Sequence, residues 1–236
     1  MAGWLLSLPL LLTLAEGVHA GPFGEVQLIG EPLIYRSRLS ASEPFIVYTD
    51  TVTLVERGSL YRVELAEETG RKTVALVQAK DWRPLQVQVF DPAGQRIDQI
   101  QYNGDAVIFD LSSRNLSKTI KLGGDYYDCN TLYHFLRAFP FGKGRKVTFN
   151  LVMDGRGGSK AGPIAMYVQE RGRTTVKVEA GTFEAYELEM GVSGLLGLFA
   201  GKYRYYFWYT AEAPHYLLKY RDKEGGAVTE LIRPGK

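Results

Sequence analysis

The sequence predicts a mainly β fold, a large curved antiparallel sheet or open barrel packed around one short helix at about 129–139. Three observations carry this. Short runs of alternating apolar and polar residues recur, separated by Gly, Pro, Asn and Asp turns, the signature of an antiparallel meander. The chain holds 15 Tyr and 11 Phe, residue types that favour strands. Only one stretch, 125–141, carries a clear helical period.

The strands are read in order. Leu33–Leu39, Phe45–Val55 and Ser59–Ala66 come first, and in the third Tyr61, Val63 and Leu65 face away from Arg62 and Glu64. Glu67–Gly70 is a turn. Thr73–Ala79 is apolar with little alternation, as a central strand is. Pro84–Phe90, Gln95–Tyr102 and Ala106–Leu111 follow, bounded by the turns Asp91–Gly94 and Asn103–Asp105. In the helix, Leu132, Phe135, Leu136 and Phe139 fall on one face, Asp128 stands at the N-cap position and Pro140 ends the run. About three turns are not stable alone, so this helix must lie on the sheet. Strands resume at Lys146–Met153, Ile164–Glu170, Thr174–Glu179 and Phe183–Met190. The loop Gly155–Gly162 lacks the strand–loop–helix context and the Gly-Lys-Ser order of a phosphate cradle, so it reads as a hairpin loop. Gly191–Gly201 is glycine-rich, apolar and uncharged. In the strand Lys202–Thr210, Tyr203, Tyr205, Phe207 and Tyr209 share one face, with Arg204, Tyr206 and Trp208 on the other. His215–Arg221 and Ala227–Ile232 close the chain as a hairpin.

The organisation expected is a signal peptide at 1–20 and a single β-rich domain at 21–236. Trp4–Leu14 has the length of an export core, and Val18-His19-Ala20 is a small-x-small cleavage site, although no Lys or Arg precedes the core. No Cys follows the cleavage site, which argues against a lipid-anchored form. Export places the protein in the periplasm, where its single cysteine, Cys129, forms no internal disulfide. A formal charge of +2 is too weak a field for nucleic acid.

Catalytic chemistry finds little footing. Cys129 and His134 are five apart on one helix and do not face each other. A dyad between Cys129 and His215 is left open at this level. His134 and His215 are the only histidines after residue 20 and stand far apart, so no metal or other cofactor is expected. Glu187 and Glu189 share a strand face that solvent explains, with Glu184 on the other. His134 and Arg137 lie opposite the apolar helix stripe, exposed or forming the polar rim of a pocket, since Arg suits carboxylate or phosphate groups.

Four segments carry a resemblance: Leu132–Pro140 (LYHFLRAFP), Val178–Phe183 (VEAGTF), Phe207–Thr210 (FWYT) and His215–Lys219 (HYLLK). Their order and spacing resemble the domain-of-unknown-function 3108 family, a group of exported bacterial proteins, from about Leu33 to Ile232. Where members carry an acidic residue just after the aromatic strand, this chain reads Ala211-Glu212-Ala213-Pro214. The resemblance implies no catalytic residue and, by analogy of fold, a curved sheet like that of lipoprotein carriers.

Two functional readings follow. The first is a non-enzymatic envelope protein binding a lipid or other hydrophobic ligand between sheet and helix. In that reading the apolar segment 192–200 is a lid or a membrane-touching loop; the second reading is an interaction module docking on another envelope protein through the same segment. Candidate contacts are Leu136, Leu195, Leu196, Leu198, Phe199, Tyr203, Tyr205, Phe207 and Tyr209, with His134 and Arg137 as the polar rim. A hydrolase is a third reading without an identifiable catalytic set.

Overall fold

A computed structural model describes residues 22–23, 32–156, 160–194 and 203–234. The proposed leader and Leu195, Leu196, Leu198 and Phe199 lie outside the described residues. The first half contributes β1 (Leu33–Arg38), β2 (Ile46–Val55), β3 (Leu60–Glu67), β4 (Lys72–Gln78), β5 (Pro84–Phe90), β6 (Arg96–Asn103), β7 (Ala106–Leu111) and β8 (Leu116–Lys121). After β9 (Tyr126–Asp128) comes α1 (Leu132–Phe135). Then follow β10 (Lys146–Met153), β11 (Gly162–Val178), β12 (Gly181–Val192), β13 (Arg204–Thr210), β14 (Leu217–Asp222) and β15 (Val228–Pro234).

All fifteen strands form one sheet. It runs from β8 back to β1, crosses to β15, and runs back to β9. Chain-first and chain-last strands therefore pair at the centre, Tyr35 opposite Leu231. Every neighbouring pair is antiparallel except β9–β10. We call the end where β1 meets β2 the upper end and the opposite one the lower end.

The sheet is curved and not closed by a ladder, because β8 and β9 are its two edges. Side chains bridge the seam instead. Lys118 Nζ in β8 donates to Ala161 O at 2.5 Å, and Arg114 Nη1 donates to Asp154 O at 2.5 Å. Tyr126 Oη donates to Gly104 O at 2.7 Å, and Arg83 pairs with Asp125 at 3.0 Å.

Two expected strands, Ile164–Glu170 and Thr174–Glu179, are one 17-residue strand, β11. The polar run between them is a β-bulge at Glu170/Gly172, where Gly172 takes φ +135° and the strand bends without ending. The bend carries the tip of the β11–β12 hairpin past β13 and β14. There Ala180 N–H donates to Leu231 O at 3.4 Å, and Glu179 pairs with Arg36 at 3.1 Å. β14 and β15 pair only over Lys219–Arg221 with Val228–Glu230, which leaves that carbonyl free to accept. β8 and β9 were not anticipated. β8 alternates half-buried and exposed residues of mixed polarity, and β9 is only three residues long.

The helical segment is close to the expected span. One turn of α-helix, α1, lies between tight 3₁₀ turns at Cys129–Thr131 and Leu136–Ala138. Asp128 Oδ1 accepts from Asn130 N–H at 2.7 Å, so the cap is as predicted. The segment leaves β9 beside Val152 in the upper half and crosses the interior to Phe139 and Phe141 at the lower end. Phe135 and Leu136 are fully buried, each contributing roughly 1.5–3 kcal/mol by burial. Phe23 packs beside them, its ring 5.0 Å from Phe135, 5.1 Å from Tyr127 and 5.4 Å from Phe149.

Candidate functional site

The polar side of the helix is buried, which corrects the exposed polar face expected for it. His134 is 2 % and Arg137 5 % exposed. The curved sheet presents inward-facing residues all round the helix, so its polar side also meets protein. His134 Nε2 lies 3.0 Å from both carboxylate oxygens of Asp50 in β2. A carboxylate only accepts, so Nε2 carries the proton. Trp82, wholly buried, lies parallel to this imidazole at 6.3 Å and stacks on Tyr61 at 5.1 Å.

Around this pair the lumen is aromatic. Tyr35 donates to Leu217 O at 3.1 Å, Tyr209 donates to Tyr133 O at 3.1 Å, and Tyr133 shares a hydrogen bond with Thr229 at 3.3 Å. Burial pushes the Tyr35, Tyr48 and Tyr209 hydroxyls well above their ordinary pKa, so they stay neutral. Phe207 meets Tyr133 at 6.2 Å and Tyr220 at 5.2 Å, and Tyr205 stacks on Tyr220 at 6.3 Å. Leu136, Phe207 and Tyr209 are fully buried core residues, Tyr205 is half-buried and Tyr203 is exposed. The predicted contacts are therefore not one surface. The shared face of Tyr205, Phe207 and Tyr209 exists, but protein fills it at Phe207 and Tyr209.

A second polar cluster sits in the upper half beside the seam. Asp128, fully buried, accepts from Tyr102 Oη and, at 2.8 Å, from Asn130 Nδ2. Burial pushes its pKa up to about 6 despite these donors. Arg156 binds Asp154 and Asn130. Asp98 accepts from Ser113 N–H at 3.0 Å and Ser113 Oγ at 2.7 Å, and pairs with Arg114 at 3.4 Å. The cavity beside this cluster is only about 10 Å³, scarcely room for one water, and Val87, Val89, Ile100 and Leu111 line it together with Asp98, Gln99, Arg114, Asn130 and Asp154. Sequence reading missed this cluster, since its members come from β6, the β7–β8 turn, the end of β9 and the turn after β10.

Cys129 adjoins that cluster, and burial with Asp154 and Asp128 pushes its thiol well above the ordinary range, away from a reactive thiolate. His215 belongs to the opposite end, where Nδ1 meets Thr210 O at 2.8 Å and the ring lies 4.5 Å from Phe141. The dyad left open by the sequence is not formed. Glu187 accepts from Trp208 Nε1 at 3.3 Å, and Glu189 from Tyr167 Oη at 2.8 Å and Arg171 Nη2 at 2.7 Å. Burial opposes ionisation of Glu189, but Tyr167 and Arg171 outweigh it and hold the carboxyl below its ordinary pKa. Among the described residues, no three His, Cys, Asp or Glu side chains are grouped to hold a metal, and no helix is long and apolar enough to cross a membrane.

The upper end is apolar in a different way. Large exposed apolar side chains among the described residues are Leu39 at 65 %, Tyr203 at 47 %, Phe45 at 43 %, Leu54 at 41 % and Ile46 at 39 %. All but Leu54 lie where β1 turns into β2 or where β13 begins. Register puts these at one rim. Ile46 opposes Ser37, Arg38 opposes Val228, and Tyr205 opposes Asp222. The β14–β15 turn touches the β1–β2 loop, with Gly226 against Ser40 and Ala41. Arg38 and Arg36 lie over the Phe45 ring at 4.9 Å and 5.3 Å.

Residues 42–232 match the family of proteins of unknown function designated DUF3108. The chain belongs to this family. No curated protein matches it. Among solved structures, the DUF3108 chain is similar to a beta-barrel-like protein of the DUF1849 family from Brucella abortus. The two share 12 % identity over 88 % of this chain and 98 % of that one, with a TM-score of 0.54. The hypothetical lipoprotein YmcC from Escherichia coli gives 9 % identity, 92 % and 90 % coverage and a TM-score of 0.35. An exported protein with a YmcC-like fold from Bacteroides fragilis gives 13 %, 91 %, 100 % and 0.33. The Brucella structure establishes likeness of fold: a DUF3108 chain is a β-barrel-like shell.

Proposed function

We propose that this DUF3108 protein is a non-enzymatic periplasmic protein that docks on another envelope protein through its upper rim. Export is supported by the leader pattern at 1–20 and by the resemblance to exported bacterial proteins. A contact role is supported by one observation above the rest. Leu136, Phe207 and Tyr209, expected to line a ligand cavity, are fully buried, whereas Leu39, Phe45, Ile46 and Tyr203 stand exposed together. Apolar side chains gathered at one end of a polar surface favour a partner. Val192, the first residue of the apolar segment expected as a contact, ends β12 at this same rim, and 195–200 lie outside the described residues. Arg38 and Arg36 over Phe45 suit a partner whose apolar ridge is bordered by carboxylates.

Photo-reactive amino acids placed singly at Leu39, Phe45, Tyr203 and Leu54 test this in cells. Leu54 is the control, because it is as exposed as Phe45 and pairs with Tyr61 at the lower end. The expected result is one discrete adduct from the three rim positions and none from Leu54, abolished by Leu39→Ser with Phe45→Ser. Adducts identical at all four positions, or at none, overturn the proposal.

A further inference from the structure

Arg137 is buried at the lower end with its charge only partly met. Nε donates to Pro214 O at 2.9 Å, and Cζ lies 4.7 Å from the centre of the Tyr216 ring. Among the described residues, Nη1 and Nη2 donate to no acceptor and no carboxylate is within ion-pairing distance. The acid nearest in its electrostatic surroundings, Asp50, is held by His134 through both oxygens. Burial depresses the guanidinium pKa, as expected where compensation is incomplete. Pro214, His215, Tyr216 and Phe141 border this corner and are half-buried, and Nη1 and Nη2, though without an acceptor, are not fully shut off from solvent.

We infer that the two amino groups of Arg137 receive the carboxylate of a small apolar monoacid entering at the lower end. A guanidinium whose Nε is occupied still presents its Nη pair as a planar fork, which a planar carboxylate matches with two parallel hydrogen bonds. Charge selects a monoanion. One positive charge neutralises one carboxylate, while a phosphate dianion would leave a buried charge uncompensated close to Asp50. The walls select the rest of the ligand, because Tyr216, Phe141 and the His215 ring make this corner aromatic. This site is at the opposite end from the proposed docking rim, and neither depends on the other.

The probe pair is phenylacetate and its neutral isostere phenylacetamide, titrated calorimetrically into the full chain and into Arg137→Lys and Arg137→Gln. Phenylacetate is expected to bind at least tenfold more tightly than the amide, and Arg137→Lys, which keeps the charge but loses the fork, to lose at least tenfold. Should Arg137→Gln not fold, nitrogen NMR of the wild-type guanidinium replaces it. The Nη signals are expected to move with phenylacetate and stay still with the amide. Equal binding of acid and amide, binding of neither, or an Arg137→Lys protein indistinguishable from wild type overturns the inference. Rim adducts at Leu39 and Phe45 are expected to be unchanged in Arg137→Lys, which separates failure here from failure of the docking proposal.

Discussion

His134 Nε2 stands 3.0 Å from each carboxylate oxygen of Asp50, across 84 residues of chain. The pair ties the crossing helix to β2 inside a lumen where neither group meets water. Removing one partner strands the other. His134→Ala and Asp50→Ala are each expected to destabilise by about 3–5 kcal/mol in urea unfolding, the range for breaking a buried pair. The double variant is expected to lose much less than the sum, since the stranded charge is then absent. Additive losses would show that the two side chains act independently.

Asp128 makes stability depend on pH in the less usual direction. Burial raises its carboxyl from 3.8 to about 6 against the pull of Tyr102 and Asn130. Between those values the folded chain holds a proton that the unfolded chain has released. Stability from this group is present below pH 3.8 and declines as pH rises to about 6. The span corresponds to roughly 3 kcal/mol. Asp128→Asn is expected to remove that decline. The stability difference between variant and wild type, from urea midpoints at pH 4 and pH 7, should move in the variant's favour by about that amount. A difference constant with pH would place the Asp128 carboxyl near its ordinary value.

Phe23 lies three residues after the proposed cleavage site and is 1 % exposed, its ring against Tyr127, Phe135 and Phe149. A residue just beyond the proposed leader thus fills the space between helix and sheet. Phe23→Ala is expected to cost about 3–5 kcal/mol, with a lowered thermal midpoint, and Phe23→Leu about 1.5 kcal/mol or less. Equal, small effects of both would show that the neighbouring rings close over the space.

The parts of this fold legible in the sequence are those in which a local pattern carries the signal. Alternation in Ser59–Ala66 and Pro84–Phe90 follows from one buried face, and the apolar recurrence of Leu132, Phe135, Leu136 and Phe139 with Asp128 as cap marks the helical segment. What was hidden depends on curvature. His134 and Arg137 fall on the polar side of the helix, and nothing local says that a sheet wraps far enough to bury that side too. Asp50 gives no hint that it is reserved for His134. Asp98 and Asp154 look like surface acids and come together beside Asp128 only across the seam, where Arg114 pairs with Asp98 and donates to Asp154 O. The continuous β11 was divided because a bulge at Gly172 looks like a turn in one dimension.

Gly191 tests how tightly the outer face of β12 is packed. A Cβ there would stand 2.9 Å from Tyr167 Cε1 and 3.0 Å from its Oη. Tyr167 is not free to yield, because its hydroxyl donates to Glu189 at 2.8 Å and Lys146 lies 4.3 Å over its ring. Gly191→Ala therefore forces the ring away and breaks the bond that helps keep Glu189 ionised. A cost of about 1–3 kcal/mol is expected from overpacking. In Tyr167→Ala the clash disappears, and adding Gly191→Ala to it should cost nothing further or stabilise slightly through the lost freedom of glycine in the unfolded chain. The check is a four-protein cycle in urea at pH 7. Additivity would mean that Tyr167 swings aside freely and that the Glu189 contact contributes little.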